Sequence, residues 1–141
     1  MRVLLDANLF ISFLLSPKRD TASSRIVRAA ILGKFVLMLP EELLTEFANK
    51  VRLKPYLSNR IHPDEVKELV LILSDVVEVI PKITESIPAV TRDPKDDYLI
   101  AYAVVGAADY LVTGDQDLLV LGQIDNVKIV NPRTFDTLLE E

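Results

Sequence analysis

The sequence has no cysteine and only one histidine, His62, among its 141 residues. The lack of cysteine excludes disulfides, thiolate metal sites and thiol catalysis, and it fits a reducing cytosol. A single histidine excludes a ribonuclease mechanism that needs two histidines, and it excludes a zinc site built from histidines. Because His62 precedes Pro63 at a predicted helix start, we interpret it as a capping or surface residue.

Long apolar runs are also missing. The longest nearly apolar run, Tyr98 to Ala108, is too short to span a bilayer. The first residues resemble a signal peptide, but Asp6 and Asn8 interrupt its apolar part and no cleavage pattern of small residues follows. The four glycines are too far apart for a phosphate-binding loop, and no serine lies in a nucleophile-elbow pattern. We expect a cytoplasmic protein with no membrane partner.

The charge balance and the apolar content lead to separate expectations. A net charge of −5 argues against a simple electrostatic clamp on nucleic acid, although divalent cations bound by converging acids would invert the local field. Half of the residues are apolar, which indicates a sheet buried on both faces or an apolar partner surface. We expect a homodimer on this ground, with the apolar residues of the first helix as its interface: Phe10, Ile11, Phe13, Leu14 and Leu15.

Short apolar strands alternate with helices along the chain. The predicted strands are Arg2–Leu5, Phe35–Leu39, Val76–Ile80, Tyr110–Val112 and Val127–Val130. The predicted helices are Asn8–Leu15, Thr21–Leu32, Pro40–Val51, His62–Leu73, Asp96–Ala108, Asp115–Leu121 and one after Pro132. This alternation predicts an α/β fold with a central parallel sheet of about five short strands and helices on both faces. With no internal repeat or linker, residues 1–141 form one predicted domain.

Acidic residues follow two of the predicted strands. Asp6 ends the first strand and Asp115 follows the fourth. In open parallel sheets, functional sites form beyond the carboxyl ends of the strands. A carboxylate directly after an apolar strand is costly to desolvate unless a cation or hydrogen-bond donors compensate it. Oxygen ligands without thiolates suit Mg²⁺ or Mn²⁺.

Two further acids lie on predicted helices. Asp97 is in the first turn of an apolar helix and in phase with Ile100 and Val104, so we expect its carboxylate, rather than that of Asp96, to point inward. Glu46 flanks the apolar stripe of the helix after the second strand. Simpler roles are also open: Asp115 and Asn8 as helix N-caps, Asp97 as a helix-dipole partner and Glu46 as a solvated surface acid.

Four segments, in this order, resemble the acidic motifs of PIN-domain proteins. They are Val3–Asn8 (VLLDAN), Glu42–Phe47 (ELLTEF), Asp93–Ala103 (DPKDDYLIAYA) and Thr113–Leu118 (TGDQDL). The resemblance covers essentially the whole chain. It is greatest to the bacterial and archaeal toxins of VapC type, which belong to toxin–antitoxin pairs.

This resemblance implies an endoribonuclease that depends on Mg²⁺ or Mn²⁺, and an antitoxin protein as partner. The implied catalytic and metal-binding acids are Asp6, Glu46, Asp97 and Asp115, with Asp117 as a further metal ligand. Asn8 and Thr113 would be supporting polar groups. The candidate RNA contacts are Lys18, Arg19, Arg25, Arg28, Arg92 and Lys95, although any one of them is more simply a solvated charge.

Two other functions remain open. Phosphatases of the haloacid-dehalogenase type also place an aspartate after the first strand, and Leu111–Thr113 imitates their second motif, but they normally need a second aspartate where this chain has Asn8. A covalent aspartyl phosphate at Asp6 would distinguish them. The other alternative is a PIN-like module that binds RNA or a protein without cleaving RNA.

Overall fold

The computed structural model describes residues 1–16 and 18–140. Pro17 and Glu141, which the predicted domain includes, lie outside the described residues. The strands are β1 (Arg2–Leu5), β2 (Val36–Pro40), β3 (Glu78–Ile80), β4 (Tyr110–Val112), β5 (Gln123–Ile124) and β6 (Val127–Val130). The helices are α1 (Ala7–Leu15), α2 (Ala22–Ile31), α3 (Leu43–Leu53), α4 (Pro55–Ser58), α5 (Pro63–Val76), α6 (Pro94–Val105), α7 (Gln116–Leu119) and α8 (Pro132–Glu140).

The strands form one sheet in the order β3-β2-β1-β4-β6-β5. All neighbouring strands are parallel except β5 and β6, which are antiparallel. This arrangement confirms the predicted α/β fold with a mostly parallel sheet, although it contains six strands rather than about five. The additional strand, β5, was missed because two residues are too few to show an alternating pattern.

Successive side chains of each central strand enter two different cores. Val3 and Leu5 of β1 belong to the core under α1, α2, α3, α5 and α8. Leu4, between them, belongs to the core under α6 and α7. All three side chains are fully buried. The predicted burial of the sheet on both faces is therefore confirmed.

The apolar residues of α1 have a different role from the one expected. Phe10, Ile11 and Leu14 are buried in the core, and Phe13 and Leu15 pack against it. Helix α1 lies against both α2 and α3. These two helices cover the apolar side chains that the sheet alone would leave exposed. The prediction that α1 provides an exposed dimer interface is therefore wrong. No helix among the described residues has the length and the apolar character that crossing a membrane requires.

The order of the strands determines where a site can form. After β1 the chain moves to β2 and β3 on one side, and it returns to the other side of β1 with β4. The helix that follows β1 packs on one face of the sheet, and the helix that follows β4 packs on the other. The carboxyl ends of β1 and β4 therefore flank a crevice of the kind in which open α/β sheets bind ligands.

Candidate metal centre

Asp6 and Thr113 join the ends of the two strands that flank this crevice. The Thr113 hydroxyl, which is fully buried, donates to Asp6 Oδ2 over 2.8 Å. The other oxygen of Asp6 accepts from the amide of Asn8 at 3.2 Å and so caps α1. The Asp6 amide donates to the carbonyl of Val112 at 3.0 Å. The carboxylate of Asp6 is thus held by Thr113, just after β4, and by the first turn of α1.

Asp115 is connected to the same hydroxyl. Its amide donates to Thr113 Oγ1 at 3.1 Å, and its Oδ1 accepts from the amide of Asp117 at 2.9 Å. Asp115 is therefore the N-cap of α7, one of the simpler roles considered above. The cap uses one carboxylate oxygen. It does not prevent Asp115 from also facing the crevice.

Three carboxylates meet beside the crevice. Asp96, Asp115 and Asp117 each offer one oxygen, and these oxygens all lie within 4.8 Å of one another. Asp96 is only 5% exposed, and its buried Oδ2 has no hydrogen-bond partner among the described residues. Burial, followed by the nearby carboxylate of Asp115, raises the pKa of Asp96 to about 7. A hard divalent cation bound through oxygen would supply the compensation that this cluster lacks, so the residues fit such an ion.

Asp97 does not belong to this cluster. Its Oδ1 accepts hydrogen bonds from the amides of Val90 and Thr91, at 3.0 and 2.8 Å, and from the Thr91 hydroxyl at 2.9 Å. Burial opposes ionisation of Asp97, but these hydrogen bonds outweigh it and lower its pKa below the ordinary value. In this structure Asp97 anchors the loop that precedes α6.

The structure thus places Asp96, rather than the expected Asp97, beside Asp115 and Asp117. Asp96 and Asp97 are both buried, at 5% and 7% exposure, and Ile100 is in phase with both of them, four residues after Asp96 and three after Asp97. Because α6 is apolar nearly all round, its sequence shows no single apolar stripe that would mark the buried side of the helix. The apolar pattern therefore could not distinguish the two acids: both are buried, and the one that lies in the acidic cluster is Asp96.

Glu46 and Asn8 lie outside the cluster of three carboxylates. Glu46 is exposed on α3 and does not belong to the triad. One turn later, Lys50 donates from Nζ to Asn8 Oδ1 at 3.0 Å. The N-cap of α1 is Asp6, so Asn8 is not the helix cap. Burial, followed by the negative charge of Glu46, raises the pKa of Tyr98 on α6. The role of Glu46 as a ligand stays a prediction.

Several of the basic candidates for RNA contact already have partners. Arg25 pairs with Asp136 and Asp20, at 2.7 and 2.8 Å. The guanidinium of Arg28 lies 5.8 Å from the ring centre of Phe13. The remaining exposed candidates are Lys18, Arg19 and Lys95. His62 caps α5 by accepting from the amide of Asp64, which confirms its predicted capping role.

Arg92 is the candidate nearest the cluster. Its Nε and Nη2 donate to the two oxygens of Asp117, at 3.1 and 2.9 Å. The sequence contains no signal for this pair, because the two residues are 25 positions apart on different elements.

Comparisons with known proteins agree with this architecture. A family model described as PIN domain matches residues 2–117, and the chain belongs to this family. The resemblance inferred from the four acidic motifs is thereby confirmed. No curated protein matches the sequence.

Among solved structures, the chain is similar to one in the crystal structure of VapBC2 from Rickettsia felis bound to a DNA fragment from their promoter. The match covers 93% of this chain and 98% of that one, with a TM-score of 0.59 and 14% identity. At this identity, the similarity shows the shared fold alone.

Proposed function

We propose that this protein is a ribonuclease that hydrolyses RNA phosphodiester bonds with Mg²⁺ or Mn²⁺. The observation that carries the proposal is the buried Asp96 oxygen that has no partner among the described residues, beside Asp115 and Asp117 in a PIN domain. A carboxylate buried in this way is unfavourable by itself, and strongly perturbed acids of this kind cluster at functional sites.

The carboxylates have distinct roles in this proposal. Asp96, Asp115 and Asp117 hold the cation, and Asp6, fixed by Thr113, adds a fourth negative group at the same edge of the sheet. The bound cation would supply an activated water and stabilise charge on the phosphoryl group. With His62 capping a distant helix, the side chains contribute mainly by positioning these groups. Asp97 orders the adjoining loop and is not needed as a ligand.

A basic stretch beside the crevice supports RNA as the substrate. Between Phe47 and Pro63 the chain has no acidic residue, while the cations in this range are Lys50, Arg52, Lys54 and Arg60. Lys50 reaches Asn8, two residues after Asp6, so the stretch begins at the border of the proposed site. In a protein with a net charge of −5, this local excess of positive charge suits the phosphate backbone.

The biological setting is also part of the proposal. The similar structure is a VapBC complex, which supports a role for this protein as the toxin of a toxin–antitoxin pair. Such a toxin would act on cytoplasmic RNA, as a homodimer that binds an antitoxin protein. Sedimentation would test the dimer, and co-purification from the native host would test the antitoxin. A single species with the mass of one chain, or repeated recovery without a second small protein, would contradict these two parts.

RNA cleavage by the purified protein tests the enzymatic part. We expect cleavage with Mg²⁺ or Mn²⁺, no cleavage with EDTA, and loss of activity in Asp96→Asn and Asp115→Asn. The matched control is Asp75→Asn, which removes one exposed carboxylate near the end of α5. Because α5 ends just before β3 begins, Asp75 lies at the amino ends of the strands, opposite the proposed site. Cleavage by both site variants at the wild-type rate would contradict the proposed centre. Binding of RNA without cleavage would instead favour the non-catalytic module.

A further inference from the structure

The side chain of Arg92 lies directly against the proposed metal centre. Its guanidinium pairs with both oxygens of Asp117, one of the three clustered carboxylates. Within residues 1–16 and 18–140, Asp117 is the only residue hydrogen-bonded to the Arg92 side chain. A cation that binds Asp117 must therefore compete with this guanidinium.

The backbone that carries Arg92 is anchored on both sides. Before it, the amides of Val90 and Thr91 donate to Asp97. After it, Asp93 accepts from the Thr91 hydroxyl and caps α6 through the amide of Lys95, both at 2.9 Å. By contrast, the Arg92 side chain is 83% exposed. The position of Arg92 is thus set by the loop, while its guanidinium has room to change partners.

We propose that Arg92 is a substrate-binding residue that neutralises Asp117 in the cation-free protein and contacts a phosphate of the substrate once Asp117 turns to the cation. Asp97 is then a positioning residue, since it holds the loop from which Arg92 reaches the site. The planar guanidinium binds a carboxylate and a phosphate through the same pair of N–H donors, so one side chain serves both states. This inference rests on the proposed cation-dependent function.

The affinity for Mn²⁺, measured by calorimetry without RNA, tests whether Arg92 neutralises Asp117 in the cation-free protein. Arg92→Gln removes the ion pair with Asp117. We therefore expect Mn²⁺ to bind about two- to fivefold more tightly, which corresponds to the free energy of an exposed ion pair. Arg92→Lys, which keeps the charge but loses the paired donors, should lie between Gln and wild type. The control Lys128→Gln removes one positive charge on β6 at the opposite edge and should bind Mn²⁺ like wild type.

The kinetics of RNA cleavage test whether Arg92 contacts a phosphate of the substrate. In Arg92→Gln we expect KM for RNA to rise severalfold while kcat changes much less, because the lost contact holds the substrate. Tighter Mn²⁺ binding together with a higher KM is not expected of a merely structural residue. An unchanged KM would overturn the phosphate contact.

The role of Asp97 is tested by a double-mutant cycle on Mn²⁺ affinity. In the Asp97→Asn background, Arg92→Gln should have little further effect, because the loop no longer presents the guanidinium. If Asp97→Asn does not fold, Thr91→Val replaces it in the cycle, because it removes the hydrogen bond from the Thr91 hydroxyl to Asp97. If Asp97→Asn weakens Mn²⁺ binding as strongly as Asp96→Asn, then Asp97 is a ligand and the positioning role is wrong.

The outcomes separate this inference from the proposed function. If the wild-type protein shows no saturable Mn²⁺ binding, both are overturned. If the wild type binds Mn²⁺ and loses binding in Asp96→Asn, but Arg92→Gln binds no more tightly than wild type, only the role of Arg92 is overturned.

Discussion

The Thr113 hydroxyl donates a 2.8 Å hydrogen bond to the Asp6 carboxylate across two neighbouring parallel strands, although the residues are 107 positions apart. The same hydroxyl accepts from the amide of Asp115, so one buried group positions two acids. The sequence suggested Thr113 only as a supporting polar residue. In the structure it is the connection between the first and the last acidic motif.

This relationship predicts a clear difference between two substitutions. Thr113→Val keeps the shape of the side chain but leaves Asp6 Oδ2 without its donor and the Asp115 amide without its acceptor, so we expect a loss of about 1–3 kcal/mol in the free energy of unfolding. Thr113→Ser keeps the hydroxyl and should retain the hydrogen bond, with a smaller loss from the missing methyl group. Urea unfolding of the metal-free proteins measures both. A valine variant as stable as the serine variant would show that the hydrogen bond contributes nothing.

The raised pKa of Asp96 predicts how stability depends on pH in the metal-free protein. The folded value is about 7 and the ordinary value is 3.8, so between these pH values the folded state holds a proton that the unfolded state has lost. The free energy of unfolding should therefore fall as the pH rises from about 4 to 7, and then level off. Asp96→Asn cannot ionise, and it should be the more stable protein at pH 8, by a few kcal/mol at most. Equal slopes in variant and wild type would contradict this assignment.

Asp97 predicts the opposite sign. Because its folded pKa lies below the ordinary value of 3.8, its contribution to stability is present above pH 3.8 and is lost as the pH falls through the folded value. Asp97→Asn should lower the urea midpoint at pH 7, where the charged acceptor is missing from three hydrogen bonds. The difference from wild type should shrink as the pH falls below 3.8. A difference that grows on acidification would show that the carboxylate is not stabilised by this loop.

The basic stretch predicts a salt-dependent effect on RNA binding. The double substitution Arg52→Gln/Arg60→Gln should raise KM for RNA with little change in kcat, and reduce the slope of log affinity against log salt by about 2, one for each lost phosphate contact. The matched control is Lys34→Gln/Lys128→Gln, which removes the same charge just before β2 and on β6, at the opposite edge of the sheet. Fluorescence anisotropy with a labelled RNA at several salt concentrations gives the slope. Equal slopes for the two double variants would indicate that the RNA does not pass over this surface.

The sequence alone determined the main elements and their chemistry. The apolar runs before Asp6 and Asp115 predicted strands, since buried parallel strands need apolar side chains on both faces. Because parallel strands end at a common edge, the same pattern brought acids from distant parts of the chain to one place. The four acidic motifs were enough to indicate the family. These features depend on local pattern and on order along the chain, which a sequence contains.

Only the tertiary structure decided which groups meet. The acid that meets Asp115 and Asp117 is Asp96 rather than Asp97, although both are buried, since the rotation of α6 is set by the surfaces that contact it and not by its own apolar pattern. The apolar side chains of α1 lie in the core because α2 and α3 cover them. Arg92 meets Asp117 because a hydrogen-bonded loop carries it there. Packing sets helix rotation and loop position through contacts between distant residues, and no local pattern records those contacts.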